Sequence, residues 1–368
     1  MGFLLGLVLA CALAGDCKKC DDTGLVPCPA LAKHACADAT ARSCSIAASC
    51  PTCGGTARVP CEKCGKDPGP ANAAERARLA EWLAATRAAV DTPMGKALAH
   101  AASAHFLLTY DLPKIEVKGA SALHPGMHLY LTRMEQQYAR ESADLGAAES
   151  DYLAPTHVLL WARVEDQEKA SVLFTRQSSR TESKLMGRAP SISIFYDKAW
   201  LHDDSELHQA VVHQLAHCLL SNVWDGIWPG NIHGGWLDEG LAHAYELELF
   251  ESVRHYCYIE SDTILDIARG SWEVPVRVAV ERGSAPGFLG VAGKNTIELA
   301  PEEQIFAWSY VDFVRKTYPE RLGPLARAIK ARKSIKDALQ EALGISPFEF
   351  EGKWQIYVRT HYELKKGR

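Results

Sequence analysis

The chain has 368 residues, of which 47% are hydrophobic, and its formal net charge is −5 at pH 7. This length suits one or two globular units with appendages. The modest charge and the scattered basic residues exclude an electrostatic surface for nucleic acid and a polybasic membrane patch. After the N-terminus, no stretch reaches the roughly 20 apolar residues that a membrane span requires.

The N-terminal segment is an uninterrupted apolar run, residues 3–14, that ends in Ala-Leu-Ala before Gly15. This pattern predicts a signal peptide within residues 1–16 and therefore an extracytoplasmic protein, either secreted, periplasmic or anchored to a membrane. The stretch Val-Leu-Ala-Cys that ends at Cys11 also fits a loose lipoprotein box, which would place a lipid on Cys11. A buried apolar N-terminal helix is the alternative interpretation.

Cysteine is concentrated between Cys17 and Cys64, and this segment contains an internal repeat. The sequence CKKCDDTGLVPC from Cys17 matches CPTCGGTARVPC from Cys50 at a period of 33 residues. In each copy a C-x-x-C knuckle is followed by a further cysteine, and in the second copy that cysteine begins another knuckle. Because two knuckles supply four thiolates, the spacing favours tetrahedral zinc.

The repeat resembles the cysteine-rich zinc domain of DnaJ-type co-chaperones, whose outer knuckles share one zinc and whose inner knuckles share another. The resemblance implies a first site and a second, incomplete site, because Leu31 occupies the position of the missing cysteine. His34 or Cys36 would complete the second site. The implied ligands are Cys17, Cys20, Cys61 and Cys64 for the first site, and Cys28, Cys50, Cys53 and Cys36 for the second.

A disulfide framework is the rival interpretation, since an exported protein would meet an oxidising environment. An odd number of cysteines in the segment argues against complete pairing. The segment is small and has no large apolar core, so polypeptide contact or scaffolding is a better expectation for it than catalysis.

The hydrophobic periodicity predicts a helix over residues 71–90, followed by a mixed α/β region in the middle of the chain. Apolar runs at residues 105–110, 157–164 and 191–196 are typical of strands, and residues 128–138 and 167–174 are typical of helices.

The stretch VVHQLAHCLL then places His213 and His217 four residues apart, on one side of a predicted helix. A capping box at residues 203–206 marks the start of this helix. Two imidazoles at this spacing can bind one zinc ion, although such pairs also occur by chance.

A second stretch, GGWLDEGLAHAYELE, places Glu239 on a following helix, 22 residues after His217. The two stretches together resemble the gluzincin clan of zinc metallopeptidases, in which H-E-x-x-H and a downstream E-G-x-A-x-x-x-E helix bind the metal. The resemblance implies that His213, His217 and Glu239 are the zinc ligands and that Glu246 orients a ligand histidine.

The resemblance extends to peptidase-MA-like domains over roughly residues 101–362. It implies an α+β fold of the thermolysin-like gluzincin type, with a mixed-sheet lobe and a helical lobe. The expected organisation is a signal segment at 1–16, a cysteine-rich zinc module at 17–70 and a metallopeptidase-like domain at 71–368.

Gln214 occupies the position where the resembled family carries its general base. The glutamate of that family takes a proton from the attacking water, and an amide cannot do so. A tyrosine that polarises the substrate is also expected near Phe306, where phenylalanine has no hydroxyl group. Tyr310, one helical turn later, is the nearest substitute.

Other groups near the second motif could replace the base, namely Asp238, His233 and His243. Each also has an ordinary structural role available. Asp238 can cap its helix, His233 can lie on the surface in a glycine-flanked turn, and His243 can bond a neighbouring strand.

Three hypotheses about function follow from these patterns. The first is a catalytically impaired zinc metallopeptidase homologue that binds a polypeptide or a protein partner. The second is an active zinc peptidase with a relocated base. The third is an interaction scaffold in which the cysteine-rich module is the binding element.

Overall fold

The computed structural model describes residues 17–21, 23–30, 40–63, 69–112, 123–197, 201–257 and 272–364. The expected signal segment with Cys11 lies outside these residues, as do Cys36 and Cys64. No helix in the described ranges is both long enough and apolar enough to cross a lipid bilayer.

The protein is an α+β protein with a mixed sheet and a helical part. The strands are β1 Leu25–Pro27, β2 Ser43–Cys44, β3 Arg58–Pro60, β4 Ala99–Ala102, β5 Phe106–Asp111, β6 Thr156–Trp161, β7 Glu182–Leu185 and β8 Ser191–Phe195. Six of them form one sheet in the order β2-β4-β5-β6-β8-β7. Strands β5, β6 and β8 are parallel to one another, and the outer strands are antiparallel to their neighbours.

The helices lie mostly after the sheet in the chain. They are α1 Ser45–Ala48, α2 Gly69–Thr86, α3 Thr92–Met94, α4 Leu123–Leu145, α5 Val164–Ala170, α6 Asp204–Asn222, α7 Gly235–Phe250, α8 Glu273–Arg282, α9 Phe288–Ala292, α10 Pro301–Thr317, α11 Leu322–Lys330, α12 Ile335–Leu343 and α13 Pro347–His361. The three predicted central strands and the predicted helices of this region are all present, with shifted ends. Helix α4 begins before the predicted start and ends later.

Helix α6 begins where the capping pattern predicts. The side chain of Asp203 accepts a hydrogen bond from the backbone N–H of Glu206, at 3.0 Å. The reciprocal bond of a capping box is not formed, since Glu206 instead accepts from the backbone of His202, at 2.6 Å. A single side-chain cap therefore fixes the start of α6.

The apolar side chains form two main cores, with α6 between them. Val211, Leu215 and Leu219 on one side of α6 pack with the buried face of the sheet and with α4. Val212, Ala216 and other residues of α6 pack into the second core, which α7, α10, α11 and α13 build. Because both sides of α6 are covered, its polar side chains are held in a dry interior.

Helices α7 and α10 approach each other closely at Gly240. An added Cβ atom at Gly240 would lie 2.6 Å from Val311 Cγ2 and 2.8 Å from the carbonyl carbon of Ala307. Real Cβ atoms essentially never make contacts under 3.0 Å. The missing side chain of Gly240 therefore allows α10 to support α7 directly beside Glu239.

The two copies of the cysteine repeat pair with each other across β1 and β3. Val26 and Val59 lie opposite each other in this antiparallel pair, and they are equivalent positions of the 33-residue repeat. Cys28 N–H donates to Ala57 O and Cys61 N–H donates to Gly24 O, both at 2.8 Å, which are again equivalent bonds. The repeat in the sequence is thus a local two-fold symmetry in the structure.

The cysteine-rich segment also contributes to the main sheet. Strand β2 pairs with β4, with Cys44 opposite Ala101, and the backbone N–H of His100 donates to Ser45 Oγ at 2.8 Å. Cys28, Cys44 and Cys53 belong to the same apolar core as the sheet. The segment therefore packs on the larger domain and completes one edge of its sheet.

Candidate metal centre and its surroundings

Helices α6 and α7 bring the two histidines and the glutamate of the sequence motifs together. His213 Nε2 and His217 Nε2 lie 3.1 Å apart. Glu239 Oε2 lies 3.8 Å from His213 Nε2, and Glu239 Oε1 lies 3.7 Å from His217 Nε2. All three side chains are completely buried. The two Nε2 atoms and the Glu239 carboxylate can therefore bind one cation between them.

Cys257 is a fourth member of this group and was not predicted from the sequence. Its Sγ atom lies 3.5 Å from His213 Nε2 and 3.5 Å from His217 Nε2. One atom from each of His213, His217, Glu239 and Cys257 lies within 4.8 Å of the others. Lys184 Nζ donates to the same sulfur at 2.8 Å.

These distances fit a tetrahedral metal site. Zinc bonds of about 2.0–2.1 Å to nitrogen and about 2.3 Å to sulfur place two nitrogens about 3.3 Å apart, and nitrogen and sulfur about 3.5 Å apart. The observed separations of 3.1 Å and 3.5 Å agree with this geometry. We call these four residues the His₂GluCys group.

Carboxylates lie behind both imidazoles. His217 Nδ1 lies 2.9 Å from Asp238 Oδ2, and His213 Nδ1 lies 3.4 Å from Glu246 Oε2. Asp238 is held by Trp228 Nε1 and Thr296 Oγ1, which donate to it at 2.8 Å and 2.7 Å. Ligand histidines commonly face a carboxylate in this way, which leaves Nε2 directed at the metal. Asp238 therefore lies against the imidazole of His217, and it does not form the side-chain cap considered for it at the start of α7.

The buried charge around the group calls for a cation. Asp238, Glu239 and Glu246 are all fully buried. Neither carboxylate oxygen of Glu239 receives a hydrogen bond from a described residue. His243 Nε2 is 3.1 Å from Glu239, but it donates to Gln304 Oε1 at 2.9 Å. Against the opposing effect of burial, Glu239 and Glu246 raise the pKa of His243 to about 9, so a shared imidazolium offsets part of this buried charge, and a divalent cation would offset the rest.

The protonation states also suit metal binding. Burial lowers the pKa of His213 to about 3, so its imidazole is neutral and has a free lone pair. Burial and the charge of Glu239 raise the pKa of the Cys257 thiol, against the opposing effect of Lys184. A bound divalent cation deprotonates a coordinating thiol, so the sulfur would then be a thiolate beside the Lys184 ammonium group.

Gln214 lies beside this group and contacts a carboxylate on the edge strand. Its Nε2 atom donates to Glu182 Oε1 at 2.8 Å. Its Oε1 atom is buried and has no hydrogen-bond partner among the described residues. The position of the family's base is thus occupied by an amide that is paired with an acid on β7.

The other candidates of the sequence analysis lie elsewhere or have other partners. Tyr310 is fully buried in an aromatic cluster, and its hydroxyl group donates to Pro286 O at 3.2 Å. Phe306 packs on Trp354. His233 is exposed, as expected, and its Nδ1 contacts Gly293 O at 2.8 Å. His243 bonds helix α10 through Gln304 and not a strand.

The predicted cysteine ligands form two further groups, each built from both repeat copies. Cys17 and Cys20 meet Cys61, and Cys50 and Cys53 meet Cys28. The sulfur atoms of Cys17 and Cys61 are 3.9 Å apart, which is far beyond a disulfide bond of about 2.05 Å. Backbone hydrogen bonding from Cys53, above all, lowers the pKa of Cys50 to about 7. Both groups could bind a metal ion.

Comparison with known proteins gives no assignment, because no family model and no curated protein matches this chain. The function has to be argued from the residues themselves.

Three residues that contact the two motifs, Cys257, Glu182 and Lys184, were not predicted from the sequence. Cys257 lies between α7 and α8, 40 residues after His217, in a stretch without regular periodicity. Glu182 and Lys184 lie on β7, before the histidine helix. Isolated residues of this kind give no local signal, since only the fold brings them to α6.

Proposed function

We propose that the larger domain is a zinc-binding homologue of gluzincin peptidases that is catalytically impaired and binds polypeptide. The thermolysin-like fold, the identity of the metal and the polypeptide partner are parts of this proposal. Export across a membrane, with or without a lipid on Cys11, remains the expected location.

The position of Cys257 is the observation that carries the proposal. Structural zinc sites have four protein ligands, whereas catalytic sites keep one position open for water or substrate. With Cys257 included, the His₂GluCys group supplies four protein ligands. Lys184 stabilises the negative charge that Cys257 would carry as a ligand. The arrangement therefore favours a closed site over one that turns over substrate.

Gln214 supports the same conclusion. When bound, zinc supplies a Lewis acid that polarises a carbonyl group and makes water more acidic. The chain must still provide a group that takes the proton, and the amide of Gln214 cannot. A positioned general base contributes about 100- to 10,000-fold in rate. The loss of this base would impair the enzyme even if Cys257 left the fourth ligand position open.

Polypeptide binding rests on the resemblance and on the edge strand β7. Extended peptides add to sheet edges, and β7 is the edge strand whose side chains reach the His₂GluCys group. Two of its carbonyl groups are already in use: Glu182 O accepts from Ser179 Oγ, and Lys184 O accepts from Gln177 Nε2. An incoming polypeptide would first have to displace these hydrogen bonds. We therefore expect the polypeptide to associate slowly with β7, which is unlike an enzyme that turns over substrate rapidly.

An active peptidase with a relocated base is a second candidate, because Glu182 offers a carboxylate next to Gln214. In that case Glu182 would take the proton, and Cys257 would leave the fourth position during catalysis. This candidate differs from the three groups considered from the sequence alone, which were Asp238, His233 and His243.

The deciding experiment measures zinc content and cleavage of a broad peptide library. The key variant exchanges the amide and the acid, E182Q together with Q214E, which keeps the net charge and the hydrogen-bonded pair. Combined with Cys257→Ala, it should bind zinc and raise cleavage about 100- to 10,000-fold over the native chain. Gln209→Glu is the matched control, since Gln209 is equally buried on α6 and donates to Ser252 O at 2.7 Å.

Each outcome selects one hypothesis. Zinc without turnover in the native chain, and turnover in the exchanged variant, supports the proposal. Rapid native turnover that Glu182→Gln abolishes supports the relocated base. A larger domain that binds neither zinc nor an unfolded, carboxymethylated polypeptide used as a probe supports the third hypothesis, in which the cysteine-rich segment is the binding element.

A further inference from the structure

A further cluster of metal-ligating side chains lies where the cysteine-rich segment meets the larger domain. Cys44 ends strand β2, and His124 and His128 lie one turn apart at the start of α4. One ligand atom from each lies within 4.8 Å of the other two. Cys44 lies outside both copies of the cysteine repeat, and neither histidine belongs to the peptidase-like motifs.

The cluster is a dry, soft-ligand site. The exposed fractions are 5% for Cys44, 5% for His124 and 4% for His128. Cys44 Sγ lies 3.2 Å from His124 Nε2, and the two imidazole rings are perpendicular with centroids 4.5 Å apart. One thiolate and two imidazoles form a donor set that suits zinc better than calcium or magnesium.

His128 provides the second and independent observation. Its Nε2 atom is buried and has no hydrogen-bond partner among the described residues. Buried polar nitrogens are almost always satisfied, and leaving one without a partner costs about 1–3 kcal/mol. A cation bound between the three side chains removes this cost.

The sequence carries a matching signal. The stretch HPGMH at residues 124–128 has the same four-residue spacing as His213 and His217. On a helix this spacing places two imidazoles on one side, where they can share a ligand. The third ligand comes from β2, which pairs with β4 and lies beside α4 in the same core.

We propose that Cys44, His124 and His128 bind a zinc-class divalent cation that fastens the cysteine-rich segment to helix α4. Binding releases the thiol proton of Cys44 and joins two parts of the chain that are 80 residues apart. The role of the site is to join these two parts of the chain, and three protein ligands leave one position of a tetrahedral cation for water. Its existence does not depend on the function proposed for the His₂GluCys group.

The test counts zinc in the full chain. His128→Gln should remove about one equivalent of zinc relative to the native protein, while His128→Cys, which restores a soft ligand, should retain it. The matched control is His100→Gln. His100 is 1% exposed, but its ring nitrogens face Thr109 Oγ1 at 3.1 Å and Asp91 Oδ1 at 2.8 Å. Its loss should leave the zinc content unchanged.

Cadmium NMR of the unmodified chain gives an answer that does not depend on a variant folding. Two resonances typical of one sulfur and two nitrogen ligands are expected, one from this cluster and one from the His₂GluCys group. A variant that lacks His213 should lose only the second. The inference is overturned if the variant that lacks His213 shows no such resonance, or if His128→Gln folds and keeps the full zinc content. In either case the contact of Cys44 with His124 is a plain hydrogen bond.

Discussion

Replacing Gly240 with alanine tests how the fold holds the candidate metal centre. The added Cβ atom would lie 2.6 Å from Val311 Cγ2 and 2.8 Å from the backbone carbon of Ala307, where ordinary contacts begin at 3.4 Å. Helices α7 and α10 would have to separate by more than half an ångström. Neither helix can move freely, because both are packed in the main helical core.

The expected cost follows from two opposing effects. Alanine is intrinsically better than glycine within a helix by about 1 kcal/mol. Forcing extra atoms into a packed interior typically costs about 1–3 kcal/mol. We therefore expect Gly240→Ala to lower the free energy of unfolding by up to about 2 kcal/mol and to weaken zinc binding, since Glu239 is the preceding residue on α7.

Urea denaturation measures the first effect, and competition with a chelator measures the second. Gly352→Ala is the matched control, because Gly352 is an exposed glycine within α13 whose Cβ would meet nothing within 4 Å. That variant should gain about 0.5–1 kcal/mol. Equal behaviour of the two variants would refute the close approach of α7 and α10.

Two further substitutions test the support of α6 and of its histidines. Lys330→Met should cost about 2–4 kcal/mol of unfolding free energy in a urea titration, because the buried ammonium group donates to Leu220 O and Ser221 O at the end of α6, at 2.8 Å and 3.2 Å. Lys316 is exposed, so Lys316→Met should cost under about 1 kcal/mol in the same titration. Asp238→Asn should weaken zinc binding about 10- to 100-fold in a chelator competition, because Asp238 orients His217. Asp312→Asn, which weakens the hydrogen bonds that Tyr357 and Tyr362 donate to this carboxylate, should leave zinc affinity unchanged.

The sequence was informative where the physical pattern is local. The four-residue spacing of His213 and His217, the N-cap at Asp203 and the alternation of apolar residues all act over one or two turns, and the corresponding elements are present. The two copies of the 33-residue repeat pair with each other across β1 and β3, and the cysteines fall into the two groups that the DnaJ-type resemblance implies.

The residues that were missed are brought to the site by long-range packing. Cys257 and Glu182 reach α6 from a connecting segment and from an edge strand, so nothing in their immediate sequence marks them. For Asp238 the sequence offers a capping role as an ordinary alternative to a base, yet its carboxylate faces His217. The HPGMH stretch did carry a local signal, but its third ligand lies on another part of the chain.

The pairing of β2 with β4 bears on how the larger domain could exist alone. A polypeptide beginning at residue 71 would lack β2 and α1, and would leave β4 as a bare sheet edge. Unprotected edges invite pairing with another chain, so such a fragment should self-associate. The cysteine-rich segment thus covers a sheet edge that would otherwise be open to pairing.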